Sequence, residues 1–211
     1  MAHQSPPDLL VLHAIRLKGM ADDGAVVERF SLDRDLVQQL LLDFEARGWI
    51  EQVGFADLSG WALTDEGRVE DNRRLAAELD EIGARDPIAA AHADFLQLNA
   101  SFLEAVTNWQ IRPTPWDPLA ANTHDDWRWD QRVLDDLSSL SRRLLPICER
   151  LTDTLARFDG YTDRFAVALD KVERGQTEWI DQPGIDSCHM IWFQLHEDLI
   201  ATLGVERGQE A

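Results

Sequence analysis

The chain has 211 residues, a formal net charge of −19 and a hydrophobic fraction of 45%. That length fits one large domain or two small ones, with ample apolar material for a core. The acidity excludes a generic basic nucleic-acid coat and a surface drawn to anionic membranes, while leaving room for a local basic face. No stretch approaches the ~20 apolar residues that span a bilayer. The opening MAHQSPPDLL lacks the basic start, apolar run and cleavage site of a secretory leader. Cys148 and Cys188 have no metal-ligand spacing such as CxxC. A cytoplasmic protein is expected, with no membrane contact.

In chain order, a first helix is predicted over residues 8–18, with Asp8 as cap, Leu9, Leu10, Leu12, Ala14 and Ile15 on its buried side, and Gly19 as its stop. Asp22 or Asp23 opens a short helix over 24–30, whose Val26, Val27 and Phe30 point inward. Ser31 and Leu32 turn the chain, and Asp33 caps a third helix. There Val37, Leu40, Leu41 and Phe44 fall at i, i+3, i+4 and i+7, one face of a 3.6-residue period. Arg47 and Gly48 supply a basic last turn and a left-handed stop. Residues 49–55 read as a strand, 57–60 as turn chemistry and 61–63 as a short returning strand. Thr64 or Asp65 then caps the next helix.

The stretches Leu32-Asp33-Arg34, Val37, Leu40-Leu41, Phe44-Glu45-Ala46-Arg47-Gly48, Trp49-Ile50-Glu51 and Leu63-Thr64-Asp65-Glu66-Gly67 resemble the MarR family of bacterial transcription regulators. The resemblance covers roughly the first third of the chain. It implies a winged helix-turn-helix that binds double-stranded DNA as a homodimer, with the third helix as the recognition helix. On that helix Arg34, Gln38 and Gln39 are best placed to face a groove, with Arg47 at its end. Glutamine suits adenine; arginine suits guanine or phosphate. One feature departs from the family, whose wing usually carries arginines. From Glu51 to Glu66 there is no Lys or Arg, and phosphate neutralisation supplies most DNA affinity. The alternative is an adaptor whose winged helix no longer binds DNA and docks a protein partner.

A polar helix over 66–83 follows, with Val69, Leu75, Ala76, Leu79 and Ile82 on one side. Asp86-Pro87 starts another helix. The expected division is therefore a winged domain at 1–85 and an all-α bundle at 86–211 for dimerisation and ligand sensing. In that bundle, helices are predicted over 87–111, 125–158, 162–175 and 186–204, with a proline-bearing loop at 112–122 containing Trp116. The stripe Val133, Leu137, Leu140, Leu144, Cys148, Leu151, Leu155 and Phe158 makes one long helix, or two kinked at Pro146. The fold class is mainly α.

Two helices carry polar residues on apolar stripes. His92 and Asn99 share a face with Phe95, Phe102, Val106 and Trp109; His189 and His196 share one with Trp192, Leu199 and Leu203. Each is either a core residue with a local hydrogen bond or part of one pocket. In the second reading His92, Asn99, His189 and His196, walled by Trp109 and Trp192, take a small aromatic or weakly polar effector. His189 and His196 are seven residues apart on one helix, too far to share a metal ion. Asp125-Asp126 and Glu197-Asp198 read either as acid/base pairs or, respectively, as a helix N-terminus and as a solvated face beside the buried stripe. There is no Gly-rich phosphate loop, GxSxG elbow or Cys–His pairing with triad logic. Neither cofactor nor enzymatic activity is expected.

Overall fold

Prolines set the start of the first helix, α1 (Pro7–Lys18): Pro7 stands at its first position, where the missing N–H costs no hydrogen bond. Asp8, expected as the cap, lies in the first turn instead. The computed structural model describes residues 1–55 and 58–205. Among these it is mainly helical, with a single two-stranded antiparallel sheet. Two units emerge. One is Met1–Ile88 with Asp153–Arg157 and the chain from His196; the other is Ala89–Thr152 with Phe158–Leu195. The first crossing falls close to the expected boundary at 85. The returns of 153–157 and 196 onward were not expected, and they have a cause: Leu155 is fully buried, and Ala201 packs with Leu9 and Leu75.

In the first unit, α2 (Asp23–Phe30) is capped by the Asp22 carboxylate, which accepts from Ala25 N–H. α3 (Arg34–Ala46) is capped likewise by Asp33, and Gly48 follows it at φ 72°. Its inward face, Val37, Leu41 and Phe44, joins Val11, Leu12, Ala14, Ile15, Val26, Ile50 and Trp61 in one core. β1 (Ile50–Phe55) pairs with β2 (Leu58–Leu63), Ile50 opposite Leu63. β2 starts three residues before the expected strand, so the turn predicted at 57–60 is corrected: 58–60 are strand, and Asp57 lies outside the described residues. The reason is a close approach. Ala21 and Trp61 exchange two backbone hydrogen bonds, at 3.0 and 2.8 Å, and a Cβ on Gly60 would meet the Ala21 carbonyl at 2.9 Å.

Thr64 caps α4 (Asp65–Glu81), its hydroxyl accepting from Gly67 N–H. Gly67 is pressed onto the hairpin, with the position of a Cβ 2.7 Å from the Trp49 carbonyl carbon. The buried face of α4 is Gly67, Asp71, Leu75, Glu78 and Leu79. Val69, expected inward, is 68% exposed, because two residues from Asp71 is about 200° around the helix.

The second unit holds most of α5 (Arg85–Gln110) and α6 (Trp127–Thr154), all of α7 (Tyr161–Glu173), and the start of α8 (Cys188–Leu203). α6 passes through Pro146 as one helix, about 42 Å long at 1.5 Å per residue. α7 begins one residue earlier than expected, behind Gly160 at φ 84°. α8 begins two residues later, at Cys188. Phe102 stacks on Trp192 at 4.3 Å, with Phe95 4.9 Å and Phe165 6.0 Å from the same indole. Such aromatic pairs add ~0.5–1.5 kcal/mol each beyond area burial. No named strand occurs after Leu63 among the described residues, and no helix among them is long and apolar enough to cross a membrane.

Candidate functional site

The outer face of α3 is open to solvent because Val37, Leu41 and Phe44 turn the other face into the core. Arg34, Gln38 and Gln39 are all exposed. Steps of four residues stack side chains into rows along a helix. One row is Arg34, Gln38 and Leu42; its neighbour is Asp35, Gln39 and Asp43. Gln39 thus stands between two carboxylates, whereas Gln38 stands between a guanidinium and a leucine that is 64% exposed. Arg47 is exposed too, but its guanidinium lies 4.9 Å from the Trp49 ring centroid. Arg74 lies 5.1 Å from the same ring. The hairpin brings no cation to this side: β1 exposes Glu51 and Gln52.

Behind this face the first unit holds a buried ionic network. His13 lies on the core side of α1, its ring stacked on Phe30 with centroids 6.5 Å apart. Its Nε2 is 3.0 Å from Asp198 Oδ1, and its Nδ1 is 3.4 Å from Asp71 Oδ2. Arg16 Nη1 donates to Asp71 Oδ2 at 3.0 Å, and Arg16 Nε to Glu197 Oε1 at 2.9 Å. Arg157 Nη1 donates to Asp198 Oδ1. Arg157 Nε donates to Glu78 Oε2 at 3.3 Å, and Nη2 to Thr202 Oγ1 at 2.8 Å. The Thr202 hydroxyl in turn donates to the Asp198 carbonyl at 2.6 Å. Arg29 Nη2 reaches Asp198 Oδ2 at 3.8 Å and the Arg157 carbonyl at 3.3 Å. At the edge, His3 Nε2 is 3.3 Å from Glu78 Oε1.

Electrostatics follow from this arrangement. Burial alone would lower the pKa of His13, but Asp198 and then Asp71 outweigh it and raise it above 6.5. Burial alone would raise Asp198; Arg157, His13 and Arg29 hold it far below the usual carboxylate range. Asp71 is lowered against burial by His13 and Arg16. Glu197-Asp198, expected as a solvated face, is therefore corrected: Asp198 is wholly buried and Glu197 largely so. Such a network favours one arrangement of its parts, because removing any member strands a buried charge. No three His, Cys, Asp or Glu among the described residues stand as metal ligands.

In the second unit, Trp192 Nε1 donates to Asn99 Oδ1 at 2.9 Å, and His189 lies parallel to Phe102 at 6.3 Å. Asn99, His189 and Trp192 thus gather around Phe102. His92 is buried on the same face of α5. Trp109 is set apart: ten residues from Asn99, about 15 Å along the helix, it packs on His124 at 4.3 Å, and its carbonyl accepts from Asn122. His196 is buried and belongs to the first unit.

No family model, curated protein or solved structure matches this chain. The likeness to MarR regulators therefore rests on the first third's own residues. The buried network was not anticipated from the sequence, although signals for it were present. His13 interrupts the apolar run Leu12–Ile15, and Asp71 and Glu78 sit seven apart on the face of Leu75 and Leu79. The partners from 157 and 198 have no local signal at all.

Proposed function

We propose that this chain is a winged helix-turn-helix regulator that binds double-stranded DNA through α3. The observation that carries the reading is the succession α2, α3, hairpin, with the solvent-facing row Arg34, Gln38 and Leu42 on the second of these helices. An arginine, a glutamine and an apolar side chain in one row suit guanine or phosphate, adenine, and a thymine methyl. Pairing of two subunits would match a palindromic operator. On this reading the protein is cytoplasmic and not an enzyme, and the Asn99–His189–Trp192 cluster of the second unit is where a small aromatic or weakly polar effector would act.

Selection from random duplex DNA, followed by binding assays with Arg34→Ala and Gln38→Ala, tests the reading. A recovered consensus that either variant weakens supports it. A second reading, a protein-binding adaptor, draws on the hairpin without Lys or Arg and on the exposed Leu36 and Leu42 of α3. No enrichment of any sequence at low salt favours the adaptor. Light scattering checks the dimer, which requires a mass of twice 24.0 kDa.

A further inference from the structure

A neutral imidazole carries one ring proton and donates from one nitrogen only. Both nitrogens of His13 face carboxylate oxygens, Asp198 Oδ1 at 3.0 Å and Asp71 Oδ2 at 3.4 Å. A neutral ring would oppose a lone pair to a carboxylate where no water reaches. Protonating a carboxylate instead is opposed by its other partners: Asp198 also takes Arg157 and Arg29, and Asp71 also takes Arg16.

Charge balance points the same way. Four carboxylates, Asp71, Glu78, Glu197 and Asp198, meet three guanidinium groups, Arg16, Arg29 and Arg157. Among the described residues, a His13 imidazolium makes the fourth cation inside the network. Arg68 reaches Glu197 at 3.7 Å and His3 reaches Glu78 at 3.3 Å, both from the solvent rim, where water screens them. Among the described residues, the groups around the ring are Arg16 from α1, Phe30 and Arg29 from α2, Asp71 and Glu78 from α4, Arg157 from the 153–157 segment, and Glu197 and Asp198 from α8.

We propose that His13 is a proton-held clasp of the first unit: protonated, it ties α1 to α4 and to the last two turns of α8, and on losing its proton in alkaline solution it lets those turns loosen. The direction of its pKa shift agrees. A proton held more tightly in the folded than in the unfolded chain contributes fully below about pH 6.5, and that contribution disappears as pH rises through the folded value. The proposal stands apart from the DNA reading, since nothing in it requires α3 to bind.

The test uses the full chain labelled with ¹⁵N-histidine. At pH 7.5 the His13 ring should show both nitrogens protonated and should titrate above 6.5, with Asp71→Asn moving that midpoint down. Across the titration, the unfolding equilibrium constant should rise by up to tenfold per pH unit. Amide exchange at 198–203, corrected for its intrinsic base dependence, should accelerate with it, and His13→Gln should flatten both responses. A ring that is neutral at pH 7.5 overturns the proposal, as does exchange at 198–203 that ignores the titration. If a variant fails to fold, the wild-type ring spectrum and its exchange profile decide the matter.

Discussion

Replacing Gly67 by Ala separates two opposed effects. In an isolated helix Ala is favoured over Gly by about 1 kcal/mol, and Gly67 has ordinary helical backbone in α4. Yet its added Cβ would run into the Trp49 carbonyl oxygen and sit 2.7 Å from the carbonyl carbon, closer than real Cβ atoms come to backbone, with the Trp49 Cα at a tight 3.1 Å. The hairpin and α4 must part. Overpacking of this kind costs roughly 1–3 kcal/mol. The Trp49 carbonyl also accepts from Thr64 N–H at 3.0 Å and from its hydroxyl at 3.2 Å, and weakening both adds about 0.5–1.5 kcal/mol each. After the propensity gain, Gly67→Ala should destabilise by roughly 1–5 kcal/mol. Urea denaturation measures it, with Gly48→Ala as control: Gly48 has φ 72° and open space around its Cβ, so only a backbone cost of ~1 kcal/mol applies there. If Gly67→Ala is neutral or stabilising, or costs no more than the control, the close approach is not what fixes glycine in the Leu63–Gly67 motif.

Asp198→Ala should cost about 3–5 kcal/mol in chemical denaturation, because Arg157, Arg29 and His13 lose a buried counter-charge. On a selected DNA site, Arg34→Ala and Gln38→Ala should each cost ~1–3 kcal/mol, and Gln39→Ala less, since Asp35 and Asp43 flank it; titration against a labelled duplex reads the difference. Burial pushes the Cys188 thiol up to about 12, and Cys148 is buried as well. Neither should react with a disulfide reagent at pH 8 until the chain is unfolded, and fast labelling of the native protein would contradict this burial. Hydrogen bonds from Arg73, then from Arg74, hold Glu70 at about 2 against 4.5. A depressed folded pKa means stability present above about 4.5 and lost as pH falls toward 2; Glu70→Gln should remove that part of the acid limb in melting curves.

The local signals of the first third were legible. Asp33, the Val37–Leu41–Phe44 stripe, Gly48 and Thr64 each mark in sequence the feature they make in structure, because caps and amphipathic periods act over one or two turns. Gly60 misled, since a glycine within a strand and one in a turn look alike until Ala21 is seen against it. Val69 misled because counting apolar residues alone hides a buried face made of Asp71 and Glu78. The network around His13 was illegible for a different reason. Its pairs are separated by 58 and 185 residues, and no local pattern records a partner so distant. Trp109 shows the limit of a shared stripe: it lies on the same face of α5 as Asn99, but about 15 Å of helix separates them.

The parallel bridge between His3 and Leu155, with Arg157 and Asp198 meeting behind it, constrains how the first unit is made. Its helices emerge early in synthesis, but α4 buries Glu78 against Arg157, 79 residues downstream, and α1 sets His13 against Asp198, 185 residues downstream. Until residue 157 has left the ribosome Glu78 lacks that guanidinium, and until residue 198 has done so His13 lacks its second carboxylate. Closure of the first unit should therefore come late in synthesis, once these long-range contacts can form. Cutting the chain at residue 85 to isolate the α3 face would remove those contacts permanently. A fragment of residues 1–85 should bind hydrophobic dyes and melt without cooperativity. Any shortened chain that keeps the α3 face folded must retain the segments around 157 and 198–202.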